Sequence, residues 1–183
     1  VEQLLQTVVD LTKSNFGLYH AHIYLLDTSS LEGEGQGAVL NLATGAGDVG
    51  REMVSQGWRI PFDKEDSIVA QAARTRQGII ANDVQSAPAF LPNPLLPDTR
   101  SELAVPLIVG ERELGVLGVQ ANVVNRFTEE DVRIQTTLAA QVAVALQNAQ
   151  RYETSQKAAR RLAQLNEMGA TLGQTTSIQD ALN

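Results

Sequence analysis

Two histidines, His20 and His22, stand two residues apart in the run LYHAHIYLLD. Spacing by two puts both imidazoles on one face of an extended strand, an arrangement suited to a metal ion or an axial haem position. A metal site needs further ligands, and the nearest carboxylates (Asp27, Glu32 and Glu34) fall in or beside a glycine-punctuated turn. Solvent-facing or hydrogen-bonded histidines are the simpler reading. The chain has no cysteine, which excludes thiol nucleophiles, Cys-ligated zinc and disulfides. Ser67 and Ser101, the latter beside Glu102, lack a histidine at a plausible triad position. Asp63, Glu65 and Asp66 cluster where a helix start expects acids. Gly33, Gly35 and Gly37 loosely imitate a phosphate-cradling loop but lack its Lys-Ser/Thr ending, and read as a flexible turn. Nothing assembles a nucleophile, a base and an oxyanion site, so no enzyme is expected.

Three further side chains suit binding. Trp58, beside Arg59, reads as packing over a pocket mouth, the alternative being a cation–π cage. Arg100 is bracketed by Asp98 and Glu102 at the end of a proline-rich stretch. It would pin that stretch through an Arg–carboxylate pair, or hold an anionic ligand bidentately. The stretch SAPAFLPNPLLPDTR from Ser86 carries four prolines, yet also Phe90, Leu91, Leu95 and Leu96. So apolar a loop must pack onto something, which makes it a candidate lid.

The elements that would position these groups follow from periodicity. VEQLLQTVVDLTKSNFG spaces Leu4, Leu5, Val8, Val9 and Leu11 as an amphipathic helix ending near Gly17. The next strand places Tyr19, Ala21, Ile23 and Leu25 on one face and His20, His22 and Tyr24 on the other. A second strand begins at Ala38 and a short one at Gly57. A helix from Ser67 is capped by Ser67 or Asp66, and another strand begins at Gly78. SELAVPLIV from Ser101 and ELGVLGVQA from Glu113 flank the turn Gly110-Glu111-Arg112, a hairpin signature. From Thr128 to about Met168 no proline or glycine interrupts a helical pattern. Leu138, Val142, Ala145, Ala149, Tyr152 and Ala159 form a heptad seam with a gap at Gln156. Such a helix would reach roughly 60 Å, more than its own domain can cover, so its second half is expected to pair with a second copy.

With 183 residues, 43% of them hydrophobic, the chain can bury a core. Of its net charge of −7, the segment after Gln150 carries +1 and the preceding body −8. An acidic body argues against a nucleic-acid surface. No run of about 18 apolar residues suggests a membrane span, no start resembles a signal peptide, and a cytoplasmic location is expected. The opening at Val1 falls in mid-pattern, as in a piece of a longer protein.

The order of these elements resembles that of a GAF domain, a sensory module of signalling proteins such as histidine kinases. The resemblance covers about Val1 to Tyr152 and is most specific in TRSELAVPL, GVLGVQA and FTEEDVRIQTTLAAQVAVALQNA. It implies an α+β fold: a central antiparallel sheet with the terminal helices on one face and a ligand pocket on the other, followed by a long C-terminal helix. Ala21, Ile23 and Leu25, with Leu117 and Val119, should then face the helices. His20, His22, Tyr24 and Gln120 should face the pocket, with Trp58, Phe90, Arg100 and Glu102 around it. The alternative is that some of them merely meet solvent. Without cysteine, a covalently attached bilin and methionine-sulfoxide reductase chemistry are excluded, and the ligand's identity is left open.

Asn125-Arg126-Phe127 and Asp131 imitate part of a cyclic-nucleotide signature, but Arg stands for Lys and Val132 for the final Glu. A Thr128 helix cap explains the same residues. Residues 153–183 are expected to form a signalling helix leading toward a further domain, since SIQDALN resembles VEQLLQ when Ile178 is set on Val1 and Leu182 on Leu5. The expected function is non-catalytic: a small-molecule sensor relaying through a dimeric helix. The alternative is a ligand-free dimerisation module with a vestigial pocket. A cavity of roughly 300 Å³ or more between sheet and loop would favour the sensor.

Overall fold

A computed structural model of the chain describes residues 1–28 and 37–181, with side chains described through Asn166 and at Met168. Gly33, Gly35, Glu32 and Glu34 of the first turn, and Leu182 of the C-terminal repeat, lie outside the described residues. The elements run α1 (Glu2–Asn15), β1 (His20–Asp27), β2 (Val39–Gly45), α2 (Gly47–Ser55), β3 (Arg59–Pro61), α3 (Ile68–Thr75), β4 (Ile79–Ala81), β5 (Ser101–Val109), β6 (Arg112–Ala121) and α4 (Glu129–Ala181). One six-stranded sheet has the order β3-β2-β1-β6-β5-β4, every neighbouring pair antiparallel. Val1–Leu146 is one compact unit and Gln147–Asn183 a second. The sequence placed the domain boundary at Tyr152.

Period-two alternation gives the sheet two apolar faces. Ala21, Ile23, Leu103, Val105, Leu117 and Val119 pack with Leu5 and Val9 of α1 and with Ala139, Val142, Ala143 and Leu146 of α4. On the other face Tyr24, Leu42, Ala104 and Val116 pack with α3, with Met53 of α2, and with Leu96 of the proline loop. The helices thus pack on the face that the family resemblance implied, and the proline loop on the other. Phe90, Leu91 and Leu95 lean half-buried on the second core, so the loop does pack onto the sheet.

Local chemistry sets the ends of the elements. The Ser67 hydroxyl accepts the Ala70 N–H at 3.1 Å and caps α3. The Asp131 carboxylate accepts the Thr128 N–H and hydroxyl, each at 2.8 Å, ahead of α4. Arg126 donates to the Phe16 carbonyl and pairs with Asp131 at 3.6 Å, so these residues of the nucleotide-like signature serve as a staple at a helix start. Asn82 bonds both the N–H and the carbonyl of Phe127, tying the end of β4 to the approach to α4.

Helix α2 has no counterpart in the sequence reading. GDVGREMVS carries two glycines, which weaken its helical signal. Its Gly50 lies against Gly45 so closely that a Cβ at position 50 would come within 1.9 Å of the Gly45 carbonyl carbon. The helix exists because two glycines let it dock on the sheet.

The dimer seam also needs correction. Val142 is 5% exposed and belongs to the domain's own core. At about 100° per residue, the inward stripe Gln135, Ala139, Val142, Ala143 and Leu146 overlaps one edge of the expected seam. Leu138, Ala145 and Ala149 are half-buried and Tyr152 is exposed. Every side chain from Arg151 to Asn166 is exposed, including Leu162 and Leu165, which the heptad reading did not include.

Candidate functional site

Three central strands place the candidate residues in cross-strand rows. His20 pairs with Gln120, and Gln120 with Glu102, so one row runs across β1, β6 and β5. The next row is His22, Gly118 and Ala104. Small residues in this second row give the imidazole its place. A Cβ at Gly118 would lie 2.1 Å from His22 Nε2, so the ring occupies the space that any other residue would fill. From there His22 Nε2 comes within 3.8 Å of Glu102 Oε1. The His20 and His22 ring centroids are 5.5 Å apart, and Tyr24 meets His22 edge-on at 5.3 Å.

None of this group faces solvent. His20, His22, Tyr24, Glu102 and Gln120 are each at most 5% exposed, which overturns the solvent-facing reading. Gln120 Nε2 donates to Glu102 Oε1 at 3.1 Å, and the Thr99 hydroxyl donates to Gln120 Oε1 at 2.8 Å. A chain of polar contacts therefore runs from the proline loop through Gln120 to the carboxylate. His20 Nε2 and both nitrogens of His22 are buried without a hydrogen-bond partner. Such atoms are costly, roughly 1–3 kcal/mol each, and uncommon in native interiors.

Burial controls the charges. It lowers His22 to about 3, with the neighbouring His20 adding to the effect. It lowers His20 to about 4, helped by Lys13. It raises Glu102 to about 7, against the bond from Gln120, and pushes Tyr24 upward, with Glu102 contributing. The His22–Glu102 approach has the distance of an ion pair, but desolvation keeps the imidazole neutral. The contact is one between a neutral ring and a carboxyl group that ionises near neutrality.

A cavity of about 30 Å³ lies between this cluster and the loop. His22, Tyr24, Trp58, Glu102 and Gln120 line it, so five of the eight expected pocket residues meet there. Ser67, Asn93, Leu91 and Leu96 also line it. His20 sits behind His22, and Phe90 packs on the second core without reaching the cavity. Arg100 is not in the lining either. Among the described residues it makes no ion pair, and its Nε is buried without a partner. The expected Arg100–carboxylate pair is therefore absent, because Glu102 points from the strand into the polar row. No group of three or more His, Asp or Glu among the described residues is arranged to hold a metal.

Gly118 and Thr99 were not singled out in the sequence. A glycine inside a strand signals close approach of another group, so Gly118 carried a legible signal. Thr99 carried none, because its role depends on how an irregular loop folds.

An antiparallel sheet backed by its terminal helices, with buried polar side chains on the far face beneath an irregular loop, defines a class of small α+β domain. The sequence profile of the GAF domain matches residues 1–147, and the chain belongs to that family. Among solved structures, the fold is similar to the GAF domain of a phosphoenolpyruvate-protein phosphotransferase from Coxiella burnetii. That match has a TM-score of 0.69 and 21% identity, and covers 84% of this chain and 86% of that one. It is also similar to the GAF-B domain of DevS from Mycobacterium smegmatis (TM-score 0.64, 22% identity, 84% and 97% covered). A third similar structure is the free methionine-R-sulfoxide reductase of Neisseria meningitidis in complex with its substrate (TM-score 0.59, 26% identity, 84% and 78% covered). No curated protein matches the chain. No helix among the described residues is long and apolar enough to cross a membrane.

Proposed function

We propose that this domain is a non-catalytic sensor that binds a small molecule between the sheet and the Ser86–Arg100 loop and passes the change to α4 in a dimeric, multidomain signalling protein. One observation carries the reading: imidazole nitrogens buried without partners beside a buried carboxyl, on the loop-covered face. A purely structural core has no reason to keep such groups, whereas a ligand or water that bonds them relieves their cost. The relay has a direct route. His22 meets the pocket and Ile23, the next residue, meets the helix-side core. A shift of β1 on one face is therefore felt on the other. Catalysis has no thiol to use, which sets this chain apart from any cysteine-dependent reductase chemistry.

The small cavity favours a second reading, a ligand-free module that only sets dimer geometry. A volume of about 30 Å³ holds one or two waters and is an order of magnitude below the usual small-molecule range. On the first reading the loop must therefore lift to admit a ligand. Native mass spectrometry of protein isolated from its own host distinguishes the two. A retained non-covalent small molecule is expected. A clean apo mass, together with no thermal stabilisation by any compound of a metabolite library, would leave the ligand-free module.

A further inference from the structure

We infer that the pocket selects a small organic cation, a protonated amine with a short apolar tail, whose ammonium group is received by Glu102 and His22. The inference rests on the sensor reading and names its ligand class. Among the described residues, Glu102 is the only carboxyl group in the lining, and neither lysine nor arginine reaches the cavity. A buried site with one carboxyl and no fixed cation repels anions and welcomes a positive donor. His22 adds an acceptor lone pair: a neutral imidazole has one nitrogen free to accept, and neither of its nitrogens is engaged. An ammonium group between His22 and Glu102 would donate to the accepting imidazole nitrogen and to the carboxyl together, which an alcohol, with one O–H, does only in part and a carboxylate, with none, cannot.

The rest of the lining fits the tail. Ile60, Leu91 and Leu96 offer apolar surface, and Tyr24 and Trp58 add aromatic surface to the same lining. The one feature of opposite sign is the start of α3, since Ser67 and Ile68 also line the cavity. The Ser67 hydroxyl already takes the Ala70 N–H there, which blunts its pull on anions.

Three probes of three carbons each and different heads test the charge directly: n-propylammonium, n-propanol and propionate, at matched ionic strength and millimolar concentration. Thermal unfolding of the whole chain should rise with n-propylammonium by about 4 °C at ten times its dissociation constant, less with n-propanol and not with propionate. The shift should vanish in Glu102→Gln. In ¹⁵N-histidine-labelled protein, the His22 ring signals should move on titration with n-propylammonium while the Glu102→Gln signals stay still. Equal or greater stabilisation by propionate or propanol overturns the cation class and leaves the sensor standing. Stabilisation by n-propylammonium that persists in Glu102→Gln with unmoved His22 signals places the amine elsewhere and also overturns the inference. If no probe acts and the metabolite library is silent as well, the sensor reading falls with it.

Discussion

Glu102 and the two histidines respond to burial with opposite consequences for stability. Folding raises Glu102 from 4.5 to about 7, so between those values the folded chain holds a proton that the unfolded chain releases. Its contribution is fully present below pH 4.5 and is lost as pH rises through 7. His20 and His22 are lowered from 6.5 to about 4 and about 3. Their contribution is present above pH 6.5 and is lost as pH falls toward those values. The terms oppose each other in mildly acid solution, and only the Glu102 loss continues to neutrality. Glu102→Gln keeps the oxygen that accepts from Gln120 and removes the ionisation. It should be the more stable protein at pH 8, by on the order of 3 kcal/mol, and gain nothing at pH 4.5. Thermal unfolding across that range checks the sign; an advantage that grows toward acid pH contradicts it.

Among the elements, α2 makes the case for packing over propensity. Its two glycines argue against a helix in isolation, yet Gly50 lets the helix backbone approach Gly45 more closely than any side chain allows. Gly50→Ala improves helix propensity by under about 1 kcal/mol but drives a Cβ into backbone that has no rotamer by which to yield. The net result should be a loss of about 2 kcal/mol or more, read as a lower urea midpoint. Unchanged or higher stability would mean the close approach is not required. At the other end of the sheet, the Thr128 cap obeys local rules. Thr128→Ala should cost about 1 kcal/mol, because its hydroxyl donates to the Asp131 carboxylate and accepts the Asp131 N–H, and urea denaturation measures it.

At the scale of the molecule, the two units ask different things of one helix. Within the first, Val142 fills the core. Val142→Ala should therefore lower the unfolding free energy by about 2 kcal/mol without changing the oligomeric state. In the second, exposed Tyr152, Leu162 and Leu165 are side chains a second copy would cover, each worth about 1.5–3 kcal/mol if fully buried. If the proposed relay is dimeric, Ala149→Glu should convert dimer to monomer while leaving the urea midpoint of the sheet domain unchanged. Analytical ultracentrifugation reads the outcome. An unmodified chain that is monomeric at high micromolar concentration rules out the dimeric relay.

What this sequence determined alone is whatever depends on neighbours in the chain. Strand alternation put Ile23 and His22 on opposite faces, the turn at Gly110-Glu111 defined the long hairpin, and Ser67 and Thr128 marked helix starts. These signals are local because side-chain period and capping act over at most four residues. Family resemblance then supplied the layer order. Tertiary structure alone decided the rest. His22 is buried because Gly118, far away in sequence, leaves a hole for its ring. Glu102 turns to Gln120 rather than Arg100 because the rows of β5 and β6 register that way. Val142 belongs to the core rather than the seam because a helix of 3.6 residues per turn drifts against a heptad, and only contact with the sheet says which stripe faces inward. The volume left beneath the loop depends on how four prolines and four large apolar side chains settle together, and no local pattern encodes that sum.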